Sequence, residues 1–202
     1  MAEKIGEMKV SELLEKLAAP EAEYGGGSAV LVGAAMGASL ASMAVGITLK
    51  RGGSENEEEL RKKAVSFKEL SGIFLDMAAL DGQAYADYLK ARKMAQESEE
   101  EKKARSEAML VALRRSVELP MQACDLCVKL LEDIRGLKDK CAQSCHSDLS
   151  AAVSLLRDCA SGCLVNVVQN SVQLADPAPV MLKVKELSLK IKLLSLDIVV
   201  NK

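Results

Sequence analysis

The chain has 202 residues, enough for one substantial domain or two small ones. Hydrophobic residues make up 49% and charged residues 28%, and a formal net charge of −2 excludes the basic balance of a strong nucleic-acid binder. Aromatics are only 2% with no Trp, which removes stacking platforms for bases and favours helices over strand-rich cores.

The opening MAEKIGEMKVSELLEKL is an amphipathic helical pattern of mixed charge. It lacks the basic start and apolar centre of a secretory signal, so a cytoplasmic protein with reduced thiols is expected. Ser11, Leu13, Leu14 and Leu17 predict a short first helix ending near Pro20.

From Gly25 to Leu49 no residue is charged, and about half of the run is Gly, Ala or Ser. Its length suits a membrane span, and Gly33-x-x-x-Gly37 has the spacing of a membrane dimer motif. So many small residues transfer weakly into lipid, however, and the rest of the chain reads as amphipathic helices. A buried central helix, apolar all round and running to about Lys50, is the better reading, with no membrane partner.

Gly52-Gly53-Ser54 breaks the chain, and Ser54 with Glu57 has the spacing of a capping box. The next helix has a seam of Phe67, Leu70, Phe74, Met77, Asp81, Ala84 and Tyr88. Asp81 falls on this apolar stripe. Desolvation would raise its pKa and let it donate a proton near neutrality. A carboxylate satisfied by a helix end or a dimer partner explains the position equally well.

QESEEEKKAR is a solvated stretch, either an exposed helix or a turn. Another helix is expected to about Leu119, with Pro120 as a start or kink and Gly136 as a break. Ser147-Asp148 then opens a helix with a core face of Leu149, Val153, Leu156, Cys163 and Val167. Asp148, Gly162, Asn166 and Asn170 mark an adjacent polar edge. Asp176-Pro177 ends this region. LKVKELSLKIKLLSL in the tail alternates in part, as a strand would, but its length and Lys/Leu content favour helix. No internal repeat or boundary divides residues 1–202, which read as a single domain.

Gly25-Gly26-Gly27-Ser28 leads directly into a helix, where backbone N–H groups can approach a ligand. A flexible approach to a buried helix is the plainer explanation. The sequence lacks GxxxxGK[ST], which speaks against a nucleoside triphosphatase. Cysteines pair as Cys124/Cys127, Cys141/Cys145 and Cys159/Cys163. Zinc ligands use such spacings, but so do neighbours on one helix face, and no metal site is expected. His146, the only histidine, is either structural or a proton carrier.

Taken together, three segments resemble the cyclodeaminase/cyclohydrolase family of folate one-carbon enzymes. GGGSAVLVGAAMGASLASMAVGITL resembles that family's opening. LDGQAY resembles its D-x-x-A-[FY] segment, through Asp81 and Tyr85. HSDLSAAVSLLRDCASGCLVNVVQN resembles its late SD…G…NV…N segment, through Ser147, Asp148, Gly162, Asn166 and Asn170. The likeness covers nearly the whole chain in the right order.

The resemblance implies an all-α bundle of long central helices, forming a homodimer and binding a reduced folate without metal or redox cofactor. It implies closure of 5-formiminotetrahydrofolate to the 5,10-methenyl form with loss of ammonia. Opening of the methenyl ring by water is the alternative. Asp81 would shuttle protons, and Asp148 would orient the reacting nitrogens or the pterin. Gly25, Gly26, Gly27 and Ser28 would contact the ligand, and Lys50 and Arg51 its glutamate tail. Thr48, Tyr85, His146, Ser147, Asn166 and Asn170 complete the implied binding set. The chain departs from the family pattern at Tyr24, Gly46, Ala79-Leu80 and Cys141-Ala142. A diverged, non-catalytic folate-binding protein is the third reading.

Overall fold

The computed structural model describes residues 5–20, 24–52 and 55–199, with side chains through 194. Six α-helices make up the bulk of these residues: α1 (Val10–Ala18), α2 (Gly26–Arg51), α3 (Glu57–Arg92), α4 (Glu99–Leu137), α5 (His146–Ser171) and α6 (Ala178–Val199). Short 3-10 turns precede α1 and α5. The fold is an all-α bundle of long helices. The proposed capping residue Ser54 lies outside the described residues.

Side-chain pairings fix the directions. Ser28 meets Asp81, Ser39 meets Ser71 and the Ser42 hydroxyl meets the Ala64 carbonyl, so α2 and α3 run antiparallel. Lys63 pairs with Asp133 and Lys140 with Glu59, which sets α4 antiparallel to α3. Lys183 pairs with Asp125 and Lys190 with Glu132, so α6 runs parallel to α4 along its exposed side.

α2 packs most extensively on α3 and α5. Its small residues serve the α5 contact. A Cβ on Gly33 would lie 2.7 Å from the sulfur of Cys159, and one on Gly37 would lie 3.1 Å from the backbone oxygen of Ala152. On α5, a Cβ at Gly162 would lie 2.6 Å from Val30 Cγ1. The GxxxG spacing is thus used for a close helix crossing inside the bundle. Both α2 and the segment ending in α5 are long and apolar enough to cross a membrane by length and composition, but both supply much of the core.

Several expectations change in detail. α2 is not buried all round: Met36, Met43 and Ile47 are 54%, 43% and 37% exposed. They recur at helical spacing along a face that α3 and α5 leave uncovered. The acidic stretch resolves into a helix start, because Ser98 accepts from the Glu101 N–H while Glu101 Oε2 accepts from the Ser98 N–H. Pro120 neither starts nor ends a helix, and Gly136 does not break one. α4 runs through both. The tail is helical, as its length and Lys/Leu content favour, and the Asp176 carboxylate at its start accepts from the Ala178 N–H.

Candidate active site

One end of the bundle holds a cleft of about 360 Å3 between α2, α3, α4 and α5. Gly25 and Gly27 form one lip, Asp81 and Tyr85 another, and Asn166 and Asn170 face them from α5. Tyr88 and Ser116 complete the wall. The antiparallel pairing of α2 with α3 puts the glycine run beside Asp81, and the antiparallel pairing of α2 with α5 brings the two asparagines to the same end.

Asp81 is the acidic group in this cleft. The fully buried Ser28 hydroxyl lies 3.1 Å from Asp81 Oδ2 and 3.1 Å from the Ala78 carbonyl, so one proton is shared between two acceptors. Residue 25 is glycine and offers no side-chain cap to α2. The Asp81 carboxylate instead reaches the first turn of α2 from a neighbouring helix, beside Gly27 and the Ser28 hydroxyl. A Cβ on Gly27 would lie 2.7 Å from Asp81 Cγ and closer to both oxygens, so glycine is what admits the carboxylate. Burial pushes the Asp81 carboxyl above the usual carboxylate range. The Ser28 hydroxyl and N–H pull it part of the way back.

Of the residues named from sequence, Gly25, Gly27, Ser28, Asp81, Tyr85, Asn166 and Asn170 meet at this end. Gly26 sits between two of them, at the first turn of α2. Thr48, Lys50, Arg51, His146, Ser147 and Asp148 do not join them. At 1.5 Å per residue, Lys50 is about 33 Å along α2 from Ser28, and Asp148 about 27 Å along α5 from Asn166. Helical residues sharing one edge can still be separated by most of the helix length.

At that far end the Thr48 hydroxyl donates to the Ala44 carbonyl at 2.9 Å and accepts from the Ala142 N–H at 3.0 Å. It ties α2 to the segment before α5. Lys50 and Arg51 are exposed in the last turn of α2, where cations suit the helix dipole. The His146 Nε2 is buried and makes no hydrogen bond among the described residues. Thr48 and Arg51 line a second, shallower cleft there.

The six cysteines are buried and free. Burial pushes Cys124 up to about 12 and Cys159 to about 11, and raises Cys127 and Cys163 well above the usual thiol value. These are the properties of unreactive core thiols. Among the described residues no group of three or more His, Cys, Asp or Glu is placed to hold a metal ion.

Sequence reasoning passed over Ser116 and Gln173, both of which line the cleft. Ser116 had a signal: it stands four residues before a proline inside a helix. Gln173 had none, since it enters the wall only through the turn after α5.

The Formiminotransferase-cyclodeaminase family model matches residues 9–188. The chain belongs to this family. It is 31% identical over 170 residues to the formimidoyltransferase-cyclodeaminase of Sus scrofa, covering 84% of this chain and 31% of that protein. It spans under a third of the length of each matched vertebrate protein of that name. It is 27% identical over 183 residues to the methenyltetrahydrofolate cyclohydrolase of Methylorubrum extorquens, covering 90% of this chain and 88% of that one. Among solved structures, the crystal structure of formiminotetrahydrofolate cyclodeaminase from Thermotoga maritima superposes with a TM-score of 0.84. That match covers 96% of this chain and 95% of the other at 23% identity, and it establishes the fold.

Proposed function

We propose that this chain is a cytoplasmic enzyme of folate one-carbon metabolism that forms 5,10-methenyltetrahydrofolate and ammonia from 5-formiminotetrahydrofolate. The observation that carries the reading is Asp81, a desolvated carboxyl at the mouth of a cleft, held by Ser28 at the start of α2. The family membership and the Sus scrofa relative support the choice of substrate class.

The chemistry suits such a group. N10 attacks the carbon of the protonated formimino group, forming the N10–C bond and a tetrahedral centre that bears an NH2 group. N10 gives up its proton, and the C–N bond to the former imino nitrogen breaks as that nitrogen leaves as ammonia. A carboxyl with a raised pKa can take the first proton and return one to the leaving nitrogen. Asn166 and Asn170 lie across the cleft from Asp81, within the ligand's expected footprint.

A specific observation favours the alternative reaction as well. The bacterial cyclohydrolase matches over nearly its whole length, whereas the cyclodeaminase relatives match over a part. Water adds to the same carbon in that reaction, and the same proton shuttle serves. The homodimer belongs to this reading too, supported by the uncovered apolar face of Met36, Met43 and Ile47.

The near-ultraviolet band of the methenyl compound tests the reaction. Growth of the band from the formimino substrate, with ammonia release, supports cyclodeaminase. Loss of the band above the uncatalysed rate supports cyclohydrolase. Unchanged spectra in both assays reject catalysis and leave a folate-binding protein. Sedimentation of the intact protein tests the dimer.

A further inference from the structure

Asn170 faces the cleft from α5, and its side-chain Nδ2 donates to the backbone carbonyl of Ser116 on α4 at 2.9 Å. Ser116 stands four residues before Pro120, in a helix that continues to Leu137. In an ordinary helix the carbonyl of residue 116 accepts from the N–H of residue 120. Proline has no N–H, and its ring crowds the carbonyl one turn back. The Ser116 carbonyl therefore lacks its helical donor, and Asn170 supplies one from another helix.

This bond has a direction. A carbonyl only accepts, so Asn170 must turn Nδ2 towards Ser116. The amide plane is then fixed, and Oδ1 is held on the other branch of the amide. An untethered asparagine would exchange the two ends almost freely, because its terminal torsion is broad and roughly two-fold.

We propose that Pro120 is a positioning residue for the cleft. By withholding a helical N–H, it reserves the Ser116 carbonyl for Asn170 and so presents Asn170 Oδ1 to ligand as an acceptor. The ligand edge it selects carries N–H donors. For the ligand's identity this rests on the folate reading above, since a reduced pterin has such an edge. An analogue bearing acceptors at that edge would be rejected.

Pro120→Ala restores the N–H and favours the helix, so the variant is expected to fold with unchanged helical circular dichroism. The Ser116 carbonyl then turns to residue 120, and Asn170 loses its reserved partner. Calorimetric titration with 5-formyltetrahydrofolate, a stable reduced folate, reads the consequence. Pro120→Ala should weaken binding roughly five- to tenfold, the worth of one hydrogen bond. Asn170→Ala should weaken it by a similar factor, and the double variant no further than Asn170→Ala alone. Equal affinity of the unmodified protein and Pro120→Ala overturns the proposal. So does an equal loss from Pro120→Ala in both backgrounds, which would mean that the proline acts on helix shape alone.

A ligand-free readout separates this proposal from the folate reading. The Asn170 side-chain amide protons should exchange slowly in the unmodified protein and faster in Pro120→Ala. Fast exchange in the unmodified protein overturns the anchoring whatever the ligand. Slow exchange together with no folate binding overturns the substrate class and upholds the anchoring.

Discussion

The carboxylate of Asp81 on α3 occupies the space that a side chain at Gly27 on α2 would fill. Gly27 has a helical position at which any residue could adopt the backbone, so its small size serves the neighbouring helix. Gly27→Ala should displace Asp81 from the start of α2. Expected are a loss of about 1–3 kcal/mol in stability by denaturant unfolding and a loss of turnover beyond what that instability explains. A variant with unchanged turnover would separate Asp81 from the reaction.

Asp81→Asn keeps the shape and a hydrogen-bond acceptor for Ser28, but cannot move a proton. Turnover is expected to fall at least about 100-fold while folate affinity stays within about threefold. Calorimetry beside the methenyl absorbance assay distinguishes the two. Parallel loss of both would make Asp81 a binding group only.

The raised Asp81 carboxyl sets two signs. The folded state holds this proton more tightly than the unfolded chain, whose value is near 3.8. The group's contribution to stability therefore falls as pH rises from 3.8 through the folded pKa, and Asp81→Asn lacks that dependence. Activity that needs the ionised form, which takes the first proton from N10, rises through the same folded pKa. Ser28→Ala removes the hydroxyl that pulls the pKa down, so this limb should move to higher pH. A pH–rate profile of kcat/KM checks it, and a shift to lower pH would contradict the assignment.

The α2–α5 crossing gives a contrast that involves no substrate. A Cβ at Gly37 would meet Leu156 Cγ at 2.9 Å and the Ala152 carbonyl at 3.1 Å, whereas one at Gly72 would meet nothing within 4 Å. Gly37→Ala should cost about 1–3 kcal/mol. Gly72→Ala, on an exposed stretch of α3, should add about 0.5–1 kcal/mol by helix propensity. Urea unfolding midpoints of the two variants are expected to move in opposite directions.

Much of this molecule was legible because its signals are local. The seam of Phe67, Leu70, Phe74 and Met77 marks a helix face, and all four are buried. Asp81 stood out by interrupting that seam. The small residues of α2 announced a close helix crossing but not its partner. Pro120 reads locally as a start or kink, yet α4 runs through it, and Asn170 on α5 supplies the Ser116 carbonyl with a hydrogen bond.

Periodicity, composition and motif order sufficed to give an all-α chain and the family likeness, since each depends on residues a few positions apart. Only the tertiary structure decided which end of each helix shares a space. A residue's face repeats every turn, but its height along the axis has meaning only against the antiparallel neighbours. That is why Asn166 and Asn170 come to Asp81, while Asp148 and Thr48 lie at the opposite end of the bundle.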